Sequence, residues 1–185
     1  MRRIAAFRQI SVVAWTFGAV VAGLTLAMCW TIGSTMASAQ SPGDRAQLAR
    51  EMSAVPVSLA QGLVASRSEG TPISAKFELE DGKLQLSVYT DKDGRFAEVI
   101  VDHKSGKVAK AEAITDADDL SHAKAQSEAM AKAKRSLDAA TSVAMKQNKD
   151  YRVVSVMPAL KGGHPVAEVT LVKGKDWKTV SEKLD

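Results

Sequence analysis

The chain has 185 residues, with 25 lysines and arginines against 21 acids, a formal net charge of +4 and a single cysteine. One cysteine excludes a disulfide framework and a cysteine-based metal centre. The aromatic share is 5%, and no basic stripe carries interleaved aromatics, so a nucleic-acid partner is not expected.

The first 39 residues do not read as part of a fold. Arg2, Arg3 and Arg8 make a positive start, a hydrophobic run of about 23 residues spans Ile10 to Ile32, and Ala37-Ser38-Ala39 is a small-x-small cleavage signal. The pattern predicts a signal peptide, residues 1–39, cut after Ala39. The competing reading is an uncleaved membrane anchor, because a run of about 20 apolar residues can span a bilayer. Cys29 lies in this segment. Met28 before it occupies the place where a lipoprotein box wants a small residue. The expected location is periplasmic or secreted, and membrane-anchored if the leader is retained.

Removing the leader leaves 146 residues, with 22 bases against 21 acids, so the basic balance belongs mostly to the leader. A chain of that size buries about 68–70% of its unfolded surface, enough for one domain or two small ones. Residues 67–102 carry five bases and eight acids, whereas 124–185 carry twelve bases and seven acids. The basic half could face an anionic surface or an acidic partner, or its lysines could simply be solvated.

Residues 40–56 begin with Ser41-Pro42-Gly43-Asp44, a helix start with proline at the first position, followed by Leu48 and Met52 as apolar points and ended by Pro56. Ser58-Leu59-Ala60-Gln61 is a capping box that opens a helix to about Arg67, with Leu59, Leu63 and Val64 as its stripe. From Ile73 the period changes to two. Ile73, Ala75, Phe77 and Leu79 alternate with polar residues, Asp81-Gly82 turns the chain, and Leu84, Leu86 and Val88 return. Asp91-Lys92-Asp93-Gly94 makes a second turn before Ala97, Val99 and Val101, and Asp102 to Gly106 makes a third. This is an antiparallel meander with one apolar face, which the preceding helix can cover.

A capped helix, a meander with an Asp-Gly turn, and the closing Asp102-x-x-Ser105-Gly106-Lys107-Val108 resemble the PepSY domain over about Val57 to Val108. The resemblance implies a structural motif rather than a catalytic one. PepSY domains occur in propeptides of thermolysin-like metallopeptidases and in many envelope proteins without peptidase activity, and the family is widely supposed to restrain peptidases.

Farther on, Thr115-x-x-Asp118 starts another helix, and no glycine or proline interrupts the chain to Asn148. Leu120, Met130, Leu137 and Val143 form a thin apolar stripe, and Ser136-Leu137 marks a fresh start, so two helices should meet near Arg135. Arg152 to Val156 reads as a strand, with Pro158 confining it to a sheet edge or ending it. The Gly162-Gly163 cluster, the alternating Ala167, Val169 and Leu171, and Trp177-x-x-Val180 then echo the first meander about 80 residues on. The expectation is α+β: two small units, each a helix on a three- to four-stranded antiparallel meander. Unit 1 covers 57–112, a helical connector covers 113–134, and a degenerate unit 2 covers 135–185. The units either share a core or are held apart by the connector.

No chemistry is legible. His103, His122 and His164 share no metal-ligand spacing, there is no HExxH, and Asp91, Asp93 and Gly94 lack the later glutamate of a calcium loop. Glu78, Glu80 and Glu98 alternate with apolar neighbours and should point to solvent. Ser58, Ser105 and Ser136 have capping or turn roles, and Met52, Met130, Met145 and Met157 read as core. No catalytic residue, cofactor or metal is assigned, and the chain is not expected to be an enzyme. The expected function is binding of a protein partner in the cell envelope, such as a peptidase it regulates, through an open sheet edge with Tyr89, Phe96 or Trp177 adding contact area. The alternative is an accessory subunit of an envelope assembly.

Overall fold

The computed structural model describes residues 42–185. The predicted leader, its cleavage site, Cys29 and Ser41 lie outside the described residues. Helix α1 (Pro42–Met52) begins at the predicted proline, and Leu48 and Met52 are both buried. Helix α2 (Leu59–Ala65) carries the predicted capping box in full. The Ser58 N–H donates to Gln61 Oε1 at 2.7 Å, and the Gln61 N–H donates to Ser58 Oγ at 3.3 Å.

The stripe of α2 differs from expectation at one position. Leu59 and Leu63 are buried, but Val64 is 53% exposed. The contact face runs through Gly62 instead, where a Cβ would lie only 2.6 Å from Leu86 Cδ2. The absent side chain sets how closely this helix approaches the sheet.

Strands β1 (Thr71–Glu80) and β2 (Lys83–Lys92) are joined by Asp81-Gly82, whose φ values are +50° and +72°. Asp and Gly accept that region at little cost, as the sequence requires for a tight hairpin. Strand β3 (Arg95–Val101) follows Asp93-Gly94. At the third turn, Asp102 Oδ1 accepts from the N–H groups of Lys104 and Ser105 at 3.1 and 2.6 Å, and the Gly106 N–H donates to the Asp102 carbonyl at 2.8 Å. Strand β4 (Val108–Ala113) leaves this turn.

Two helices follow, broken near Arg135 as the sequence indicates: α3 (Ala117–Ala131) and α4 (Leu137–Gln147). The cap of α3 is Asp116 rather than Thr115. Its Oδ1 accepts from the N–H groups of Asp118 and Asp119 at 2.9 and 3.1 Å. One carboxylate oxygen serves two orphan amides at the positive end of the helix.

Strands β5 (Arg152–Lys161), β6 (His164–Lys173) and β7 (Asp176–Lys183) complete one seven-stranded antiparallel sheet, in the order β4-β3-β2-β1-β5-β6-β7. The architecture is therefore mixed α+β, and the two meanders share a sheet instead of standing apart on a helix. Pro158 neither ends β5 nor restricts it to an edge, since the strand continues to Lys161 between β1 and β6. The reason lies in the pairing. β1 meets β5 only at Ala75↔Val156 and Lys76↔Ser155, so β1 has left the ladder where Pro158 would have owed it an N–H.

Cross-strand register sorts the two faces. Ala75 opposes Val88, Phe77 opposes Leu86, and Val156 opposes Val169; these side chains form the core with α1, α2 and α4. Ser74 opposes Tyr89 and Lys76 opposes Ser87 on the other face, and α3 crosses that face. Ser74 Oγ donates to Gln126 Oε1 at 2.7 Å, and Ser127 Oγ donates to Asp91. No described helix is long and apolar enough to cross a membrane.

Gly62→Ala should destabilise the fold by about 1–3 kcal/mol despite alanine's better helix propensity, because the added methyl meets Leu86. In a Leu86→Val background the penalty should shrink, and a denaturant double-mutant cycle measures that coupling.

Candidate functional site

The sheet has two free edges, and they are not equivalent. On the β7 side, the Lys134 and Arg135 N–H groups donate to the Leu184 carbonyl at 2.7 and 3.0 Å, and Arg135 Nη1 donates to the Lys183 carbonyl at 3.1 Å. At the other end of β7, the Arg45 guanidinium lies 4.8 Å from the Trp177 ring centre. The loop between α3 and α4 thus caps the C-terminal end of that edge, and α1 reaches the side chain of Trp177 near its start.

β4 has no such cover among the described residues. All but its first residue are exposed. The Ile114 N–H donates to the Phe96 carbonyl at 3.0 Å, and the register Glu98↔Glu112 and Ile100↔Lys110 continues from that pair. Narrow and wide pairs alternate in an antiparallel ladder, so residues 110, 112 and 114 direct their N–H and C=O groups to β3. Ala111 and Ala113 consequently direct theirs outward. The register shifts between Ile100 and Val101, opposite Ala109, so the regular open edge is residues 110–113.

Around this edge the second face of the sheet is polar. Glu78 accepts from the fully buried Ser87 hydroxyl at 2.7 Å and pairs with Lys76 Nζ at 2.6 Å. Its side chain is only 17% exposed, so the expectation that Glu78 points freely to solvent fails. Lys76 and Ser87 hold it, a neighbourhood invisible to a period-two reading of one strand. Lys110 and Glu112 continue the same face outward, paired at 2.7 Å and 58% and 61% exposed.

The expected contact aromatics are not gathered into one surface. Tyr89 is half-buried beneath the start of α3, Phe96 is half-buried on β3 opposite Asp91, and Trp177 stands on β7 at the far side of the sheet. Burial pushes the Tyr89 phenol well above its ordinary 10.0, and the carboxylates of Glu98, Asp119 and Glu78 push it further. Tyr151 donates to Asp176, with Lys178 Nζ 3.9 Å from its ring centre.

The histidines stay apart. His103 lies in the β3–β4 turn, His122 is exposed on α3, and His164 Nδ1 sits 2.9 Å from Asp185 Oδ2. No cluster of three or more His, Cys, Asp or Glu placed to hold a metal occurs among the described residues. The serines named for capping and turns divide: Ser58 caps through its side chain, the Ser105 N–H bonds to Asp102, and Ser136 sits at the N-cap of α4 without a side-chain bond. Of the methionines, Met52 is buried, Met130 and Met157 are half-buried, and Met145 is exposed at the surface of α4.

Sequence reasoning missed the open segment itself. Its composition, Lys110-Ala111-Glu112-Ala113, has low strand propensity. The one available signal was the Asp102-to-Gly106 turn, which obliges the chain to return along β3.

No known family matches the chain, and no curated protein does. Among solved structures it is similar to a crystal structure from Clostridium difficile 630 described as a "putative lipoprotein". The identity is 14%, the match covers 62% of this chain and 75% of that one, and the TM-score is 0.37. A likeness of that size bears on neither fold nor function.

The protein has two tyrosines. In a Tyr151→Phe background the remaining phenol, Tyr89, should therefore titrate far above 10.0, and Asp119→Ala should lower its midpoint, both read from phenolate absorbance. A phenol whose folded pKa exceeds its unfolded one adds stability below the unfolded value and loses it as pH rises toward the folded value. Alkaline unfolding above pH 10.0 should accordingly be blunted by Tyr89→Phe.

Proposed function

We propose that this protein is a non-catalytic extracytoplasmic binding protein that docks an extended segment of a cell-envelope partner onto the open edge of β4. The observation that carries the reading is the outward direction of the Ala111 and Ala113 backbone groups on an exposed strand. Unpaired strand edges supply affinity through main-chain bonds and specificity through alternate side chains. The leader pattern of residues 1–39 supports the compartment, with membrane attachment only through that segment if it is retained.

A PepSY-type repeat accounts for the architecture. β1, β2 and the start of β3 recur as β5, β6 and β7 with a constant offset of 81 residues, and the paired strands of ten residues match in length. Each series is preceded by a helix with serine at its N-cap and a buried leucine at its first position, Leu59 in α2 and Leu137 in α4. The β1–β5 contact then joins unit 1 to unit 2 as sheet neighbours. A peptidase held in check is the partner that the PepSY resemblance favours.

Ala111→Pro tests this directly. Its N–H points away from β3, so proline removes no ladder bond and the fold should persist. Wild-type and variant protein serve as baits in envelope extract. A peptidase captured by wild type and lost with the variant supports regulation, whereas a large assembly captured in the same way supports the accessory-subunit reading. Partners bound equally by both baits would overturn docking at β4.

A further inference from the structure

The charge pattern of the same edge selects a second copy of this chain as one of its occupants. The inference rests on the reading of β4 as a docking edge and names a partner for it. When two antiparallel strands meet edge to edge, outward-directed residues must pair with outward-directed residues. For β4 against β4 of a second copy, the registers that overlap most of the strand are the three centred on residues 110, 111 and 112.

If Ala111 pairs with Ala113 of the second copy, Glu112 faces Glu112. If Ala109 pairs with Ala111, Lys110 faces Lys110. If Ala111 pairs with Ala111, Lys110 of each copy faces Glu112 of the other, twice, about a two-fold axis. Opposite charges directly across an antiparallel pair stabilise it and like charges destabilise it. The sequence Ala109-Lys110-Ala111-Glu112-Ala113 therefore admits one register and penalises its two neighbours.

Other features of the edge agree with that register. Lys110 and Glu112 already lie 2.7 Å apart on one face of the strand, so each needs only to exchange its partner for the equivalent group on the second copy. The outward positions are alanines, with no proline to remove an N–H and no bulky side chain to crowd an approaching strand. The bulge opposite Ala109 limits the regular contact to residues 110–113. We propose that the protein forms a weak, two-fold symmetric dimer by β4–β4 pairing with Ala111 on the axis, extending the sheet across both copies. Such a dimer occupies the edge that an envelope partner would use, so self-association and docking compete.

Charge reversal tests the register. The exported protein, purified from the envelope in mild detergent, is followed by analytical ultracentrifugation over a concentration series. Wild type should pass from monomer to dimer. Lys110→Glu and Glu112→Lys should each weaken self-association by roughly tenfold or more, since two attractions become two repulsions. Mixing the two single variants should restore a heterodimer, and the double variant K110E/E112K should restore the homodimer. Far-UV circular dichroism should be unchanged throughout, because the residues concerned are exposed.

A wild-type protein monomeric at every concentration, or a dimer indifferent to both reversals, would overturn the inference. If dimerisation fails while Ala111→Pro still releases the captured partner, docking at β4 stands without the dimer. If the charge swaps govern the dimer while Ala111→Pro releases nothing, the dimer stands and the docking reading falls.

Discussion

Two residue pairs, Ala75↔Val156 and Lys76↔Ser155, hold the architecture together. Through them β1 and β5 become neighbours, and two meanders that would each be marginal alone become one sheet. Ala75, Phe77 and Val88 on one side and Val154, Val156 and Val169 on the other then belong to one buried cluster beneath α1, α2 and α4. No disulfide is available to stiffen either half, so the shared core must supply the stability. The contact is flanked by a register shift in β1 between Pro72 and Ser74 and one in β5 between Val153 and Ser155, and the departure of β1 leaves room for Pro158.

The two faces of the sheet solve different problems. The apolar face buries large side chains against helices that approach closely, with Gly62 setting the approach of α2. The other face is lined by Ser74, Lys76, Glu78, Ser87 and Tyr89, and α3 meets it with Ala123, Gln126 and Ser127 instead of leucines. Small and amide-bearing residues suit that helix because the strand groups beneath it need hydrogen-bond partners more than they need apolar cover. The thin apolar stripe of α3 is thus the counterpart of a polar sheet face. The same polar lining raises the Tyr89 phenol by combining burial with three nearby carboxylates.

The difference between the two edges follows from where the helices lie. α3 ends near β7, so the loop between α3 and α4 can cap Lys183 and Leu184, while Arg45 of α1 covers Trp177. β4 is the strand farthest from all of these, and its side chains remain exposed. Openness there is a consequence of topology, and the residues of the strand give little sign of it.

Local rules in the sequence determined the helix starts at Ser58 and Ser136, the turns at Asp81-Gly82 and Asp102 to Gly106, and the alternating strands. Each is settled within a few residues by φ preference, side-chain capping or the period-two pleat. The echo of the first meander in the second was legible for the same reason. Only the tertiary structure decided that β1 pairs with β5, that α3 covers the polar face, that Glu78 is held by Lys76 and Ser87, and that β4 is left open among the described residues. Those outcomes depend on contacts between residues tens of positions apart, whose free energy no local window contains, and an edge is defined by the strand that is missing beside it.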